Sequence, residues 1–207
     1  MVFYFQWLRF CLALIAACVC APVKHVEAAE KPAFLETGAG VLMPMGWAGF
    51  CAHYPGECRD SGRKRGMEVS ATAATIELVQ SINQIVNDTI KPLSDYEHWH
   101  EIDRWDYAED GYGDCEDYVL VKRRALIAVG LPASALLVTI VRDENLDGHA
   151  VLTVRTDRGD LILDNVVPDV KLWFRTHYRF MKMQSAFDPN SWVAIGSVGA
   201  RPQLVSR

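Results

Sequence analysis

The sequence is short of positive charge. Its 21 Lys and Arg face 26 Asp and Glu, for a formal net charge of −5 and a pI near 5.7. That balance argues against a nucleic-acid binder, which would usually show a basic face. The one dense basic cluster, Arg63-Lys64-Arg65, sits among Gly and Ser in the manner of a solvated loop. Long apolar runs are scarce too: beyond residue 29 none has the length of a membrane-spanning helix. No internal repeat and no low-complexity tract is present, which sets aside solenoids and arrays. Cysteine is sparse outside the N-terminal region. Of six, Cys11, Cys18 and Cys20 fall in the first 29 residues, leaving Cys51, Cys58 and Cys115.

Residues 1–29 read as a secretory signal peptide. Arg9 precedes the apolar run Phe10 to Ala21, which has the length of a signal h-region, and Val26-Glu27-Ala28 leads to a cut near Ala28 or Ala29. Ile15-Ala16-Ala17-Cys18 also has the form of a bacterial lipobox, so lipid attachment at Cys18 is the alternative. Either processing makes the mature protein periplasmic or secreted. Three remaining cysteines in an exported chain imply one disulfide and one free thiol. Cys51 and Cys58 flank a turn at Pro55-Gly56, and a bridge closing so short a loop is worth about 2.5 kcal/mol on the loop-entropy account. The alternatives are two unpaired thiols, or zinc at Cys51, His53 and Cys58, which lacks a fourth ligand. Cys115 is then the cysteine left over.

Half of the residues are hydrophobic, enough for one domain with a sizeable core. Residues 30–69, rich in Gly and Pro, read as an irregular N-terminal segment tied by the Cys51–Cys58 bridge, and residues 70–207 as the main domain. Ile76, Val79, Ile82, Val86 and Ile90 recur at helical steps, and Pro92 would stop the helix. Residues 93–113 hold Tyr96, Trp99, Trp105, Tyr107 and Tyr112 among acids, a loop or broken helix whose aromatics mostly fill core. A helix follows from Cys115 to about Val129, ended by Gly130 and Pro132. Strand-like runs come next at 136–142, 150–155 and 160–166, with shorter ones at 180–184 and 192–196. Helices followed by an antiparallel sheet make an α+β domain.

The chemistry concentrates in Gly113-Asp114-Cys115-Glu116-Asp117-Tyr118. It sets a thiol at a helix start, where the helix dipole favours the reactive thiolate. If Arg155 pairs with Asp160 around the turn 156–159, His149 falls on the same face as Asp164, at a diagonal distance within side-chain reach. A one-residue slip would separate them. A thiol, an imidazole and a carboxylate in this order can supply a nucleophile, a base and an orienting group. A buried small hydrophobe and a structural histidine are the plainer reading. Asp114, Glu116 and Asp117 would hold the thiol protonated, unless they cap the helix or bind a hard cation such as Ca²⁺. Asp143 to Gly148 opens like an EF-hand loop, but its twelfth position is Val154 instead of a bidentate Glu. It reads as a strand connection that delivers His149. His98-Trp99-His100 lacks the further ligands a metal would need.

Together, Gly113-Asp114-Cys115-Glu116-Asp117-Tyr118, Gly148-His149-Ala150-Val151-Leu152 and Leu163-Asp164-Asn165 resemble the bacterial transglutaminase-like cysteine proteinases, over roughly residues 70–197. The resemblance implies a papain-like, transglutaminase-like core, with a nucleophile-bearing helix packed on an antiparallel sheet. It assigns catalytic roles to Cys115, His149 and Asp164, and calcium to Asp114, Glu116 and Asp117. It further implies a protein substrate, such as a large cell-surface adhesin, and control by an inner-membrane receptor that senses a cyclic dinucleotide. Two departures bear on the substrate and the control. Asp103-Arg104-Trp105-Asp106 stands where members carry Trp-x-Thr-Pro-x-Glu, and the Cys51–Cys58 segment is extra. The expectation is an exported cysteine endopeptidase. An acyltransferase on the same fold and a non-catalytic periplasmic binding module are the rivals.

Overall fold

Alternating side chains between residues 136 and 163 build the centre of a seven-stranded sheet in the computed structural model, which describes residues 34–59 and 66–196. The proposed signal peptide and the Arg63-Lys64-Arg65 cluster lie outside the described residues. In chain order the strands are β1 (Thr37–Val41), β2 (Lys91–Pro92), β3 (Tyr112–Gly113), β4 (Leu136–Arg142), β5 (Gly148–Thr156), β6 (Gly159–Leu163), β7 (Lys171–Leu172), β8 (Arg179–Gln184) and β9 (Trp192–Ile195). The large sheet runs β1-β9-β8-β4-β5-β6-β7, antiparallel throughout, while β2 and β3 form a separate parallel pair.

Strand periodicity divides the sheet into two faces. Leu136, Val138, Leu152, Val154, Leu161 and Leu163 enter the main core. Val141, Val151 and Ile162 pack on a smaller cluster with Trp173, Tyr178 and Phe180. The register around the 156–159 turn is the one the charges favour. Arg155 pairs with Asp160, their side chains joined by bonds of 3.0 and 3.1 Å, and Thr153 opposes Ile162. Gly159 takes φ +124°, a conformation that suits a residue without a Cβ.

Among the described residues four α-helices accompany the sheet: α1 (Met45–His53), α2 (Ala73–Thr89), α3 (Asp95–Trp99) and α4 (Cys115–Ala128). Helix α2 starts at Thr72, whose hydroxyl accepts the Thr75 N–H at 3.1 Å, and buries Val79, Ile82 and Val86 in the main core. Each such side chain contributes about 1.5–3 kcal/mol relative to exposure. Helix α4 places Tyr118, Val119, Leu120 and Leu126 in the same core. Among the described residues no helix is long and apolar enough to cross a membrane.

The segment expected to be irregular, 30–69, contains ordered elements. Strand β1 adds to the sheet edge through β9, and α1 buries Trp47 and Phe50. Trp47 lies 6.1 Å from Trp105 and 6.3 Å from Trp192, ring centre to ring centre. Tertiary aromatic contacts thus hold a helix that its two glycines, Gly46 and Gly49, would weaken alone. Cys51 and Cys58 are joined by a disulfide with Cα atoms 5.5 Å apart. Of the five aromatics in 93–113, Trp105 and Tyr107 are core. Tyr96, Trp99 and Tyr112 are exposed, contrary to the expectation that most would be buried.

Candidate active site

Cys115 is the first residue of α4, behind the cap residue Asp114. Gly113 fixes how that turn closes. A Cβ there would lie 2.5 Å from Asp117 Oδ2 and 2.8 Å from Asp117 Cβ, so only glycine lets the Asp117 carboxylate fold back against the strand. That carboxylate accepts the Asp114 N–H at 3.3 Å, closing the N-terminal turn as a residue at N3 does in a capping box, and the Asp106 N–H at 2.7 Å. Asp114 thus stands at the N-cap position and Asp117 at the third helical position.

The thiol of Cys115 is partly exposed and is the one free cysteine among the described residues. It donates to Glu116 Oε2 at 3.0 Å. Burial, then the charge and hydrogen bond of Glu116, push the thiol well above its usual range, with Asp114 adding to this. The Ala150 N–H acts the other way. The amide next to His149 in β5 therefore faces the sulfur.

His149, second residue of β5, and Asp164, just past β6, are brought together as the hairpin register requires. His149 Nε2 lies 2.9 Å from Asp164 Oδ1. The Val166 N–H donates to that same oxygen at 3.0 Å, and the Tyr178 hydroxyl donates to Oδ2 at 2.5 Å. Burial alone would raise the Asp164 pKa; the bonds from His149, Tyr178 and Val166 outweigh it and hold the carboxyl below its usual range. An ionised carboxylate only accepts, so Nε2 carries the ring hydrogen in the neutral imidazole and Nδ1 keeps the basic lone pair.

Four acids crowd the start of α4. One carboxylate oxygen each from Asp95, Asp114 and Asp117 lie within 4.8 Å of one another. Ligand atoms of Asp114, Cys115 and Glu116 form a second such group. Glu116 lies in this second group with its carboxylate bonded to the thiol, and Asp95, not expected from the sequence, joins Asp114 and Asp117 in the first. Burial and mutual repulsion raise Asp95 to about 6, Asp117 to about 8 and Glu116 to about 9. Asp114 Oδ2 accepts the Asp95 N–H at 3.4 Å, while buried Oδ1 has no hydrogen-bond partner. An unpartnered carboxylate oxygen aimed among two buried acids fits a hard divalent cation, which takes oxygen ligands.

Sequence reasoning missed Asp95 and Tyr178. Asp95 stands in a capped turn 19 residues before Asp114, and only the parallel pairing of Lys91 with Tyr112 and Pro92 with Gly113 brings the two together. Tyr178 follows a short 3₁₀ turn, Trp173–Arg175, and shares no spacing with the site. His98, set aside as a metal ligand, pairs with Asp110 at 2.7 Å.

A family model described as bacterial transglutaminase-like cysteine proteinase (BTLCP) matches residues 37–200. The chain belongs to this family. Among solved structures, calcium-bound LapG of Legionella pneumophila matches with a TM-score of 0.50 and 23% identity over 63% of this chain and 76% of that one. LapG of the same organism (TM-score 0.49, 25% identity, 62% and 72% covered) and its EGTA-treated form (0.49, 24%, 62% and 74%) also match. No curated protein matches. The protein is thus a transglutaminase-like cysteine protease, with mixed helix and antiparallel sheet.

Proposed function

We propose that the protein is an exported cysteine endopeptidase in which Cys115 is the nucleophile, His149 the base and Asp164 the orienting group. The observation that carries this reading is the 2.9 Å contact between His149 Nε2 and Asp164 Oδ1, beside a helix-tip cysteine whose sulfur faces the Ala150 amide. Asp164 fixes the tautomer, leaving Nδ1 to take the thiol proton. The thiolate attacks a backbone carbonyl, and amides at the tip of α4 stabilise the oxyanion. The imidazolium protonates the departing amine, giving a thioester and the first product. Water, deprotonated by His149, then hydrolyses the thioester and restores the thiol.

Asp95, Asp114 and Asp117 would hold Ca²⁺, with Glu116 at the margin. Bound there, the cation would cancel the negative field that keeps Cys115 protonated. The buried oxygens and the unpartnered Asp114 Oδ1 support this, and the similar LapG structure is calcium-bound. The substrate class implied by the family resemblance is a large surface protein, with an inner-membrane receptor as regulatory partner. The test compares exported and surface proteins from cells carrying the native chain with those carrying Cys115→Ala. The reading expects a fragment that appears only with the native chain. An identical fragment pattern in both would overturn it.

A further inference from the structure

Asp164 is held from two sides, and only one of them is His149. The Tyr178 hydroxyl donates to Oδ2 at 2.5 Å, while its ring centre lies 5.5 Å from that of His149 with the planes tilted by 45°. One side chain thus touches both the carboxylate and the imidazole. Its ring also packs with Val141, Val151 and Ile162, which ties it to β4, β5 and β6. A carboxylate has two oxygens and can pivot about its last bond. With Oδ1 engaged by His149 and Val166, a donor on Oδ2 removes that freedom.

We infer that Tyr178 is a positioning residue for the catalytic pair, locking the Asp164 carboxylate so that its other oxygen orients the His149 ring. The inference rests on the triad reading above. Tyr178 stays a hydroxyl donor across the working pH range, because burial and then Asp164 push its phenol far above the ordinary value, with Asp143 and Cys115 adding their charges. The titratable and charged groups facing this unit are His149 from β5, Asp143 and Glu144 from the loop after β4, Cys115 and Lys122 from α4, and Asp169, Lys171, Arg175 and His177 around the cavity that Asp164 and Tyr178 line. Lys122 is a cation within electrostatic reach of Asp164. Loss of the hydroxyl would free the carboxylate to pivot and release the His149 ring from the orientation that Oδ1 imposes.

The test is the rate at which iodoacetamide alkylates Cys115 in the presence of Ca²⁺, followed between pH 5 and 9 by mass spectrometry of the Cys115 peptide in the full-length protein. Tyr178→Phe keeps the ring and its packing. The expected result is a roughly tenfold slower rate at pH 6, as loss of a hydrogen bond to a charged group implies. The effect must vanish in an Asp164→Asn background if Tyr178 acts through that carboxylate. A Tyr178→Phe profile that overlays the native one, while His149→Ala is slow, overturns the role of Tyr178 alone. So does an equal effect with and without Asp164→Asn. Equal rates in native and His149→Ala protein overturn the triad reading itself.

Discussion

Lys122 makes the sharpest statement about stability. It sits on α4 with no solvent exposure, and its Nζ has no hydrogen-bond partner. Burial pushes its pKa from 10.5 down to about 7, against the pull of Asp164. In the unfolded chain the ammonium persists to about pH 10.4. Between those values the unfolded state binds the extra proton, so this group makes the native protein more stable as pH rises from 7 to 10. Below pH 7 the full penalty of burying the charge applies. A separation of about three units at 1.36 kcal/mol each sets that penalty near 4–5 kcal/mol. Lys122→Met fills a similar volume without the charge. At pH 6 the variant should therefore be several kcal/mol more stable than the native protein, and the gap should shrink steadily towards pH 10. Urea unfolding at pH 6, 8 and 10, followed by circular dichroism, measures this. A gap that does not change with pH, or a variant less stable at pH 6, would refute the assignment.

Calcium should raise the melting temperature and EGTA lower it, with a gain of about 2.7 kcal/mol at a hundredfold excess over Kd; Asp95→Asn should abolish the response, and a chelation-insensitive melt would leave the acids with a capping role only. Gly113→Ala should slow Cys115 alkylation and weaken calcium binding together, because the new Cβ would meet Asp117 at 2.5 Å; a variant with native values for both would contradict the packing argument. Replacing Cys51 and Cys58 by serine should cost about 2.5 kcal/mol in urea unfolding while alkylation of Cys115 stays native; a folded variant with an unreactive Cys115 would tie the bridge to the chemistry.

What the sequence disclosed was whatever rests on local period or local charge. The apolar stripe of α2 and the run Leu136–Arg142 are visible because one face of each must be buried. The hairpin register is visible because Arg155 and Asp160 neutralise each other across it. That register carried His149 to Asp164. The elements that stayed hidden depend on distant partners. All five residues of β1 are exposed, so nothing alternates, and it becomes a strand only by pairing with β9. Helix α1 needs Trp105 and Trp192 against Trp47. Asp95 joins the acids through a parallel pairing of two-residue strands, and Tyr178 reaches Asp164 from a loop. Neither contact leaves a mark in residue spacing.

The central claim is a thiol activated by an imidazole. It is tested by alkylation of Cys115 at pH 6 in the presence of Ca²⁺, read at that one peptide in native, His149→Ala and Asp164→Asn proteins. The account predicts fast labelling of the native protein, a loss of at least tenfold in His149→Ala, and an intermediate rate in Asp164→Asn. Equal, slow labelling of all three would contradict it.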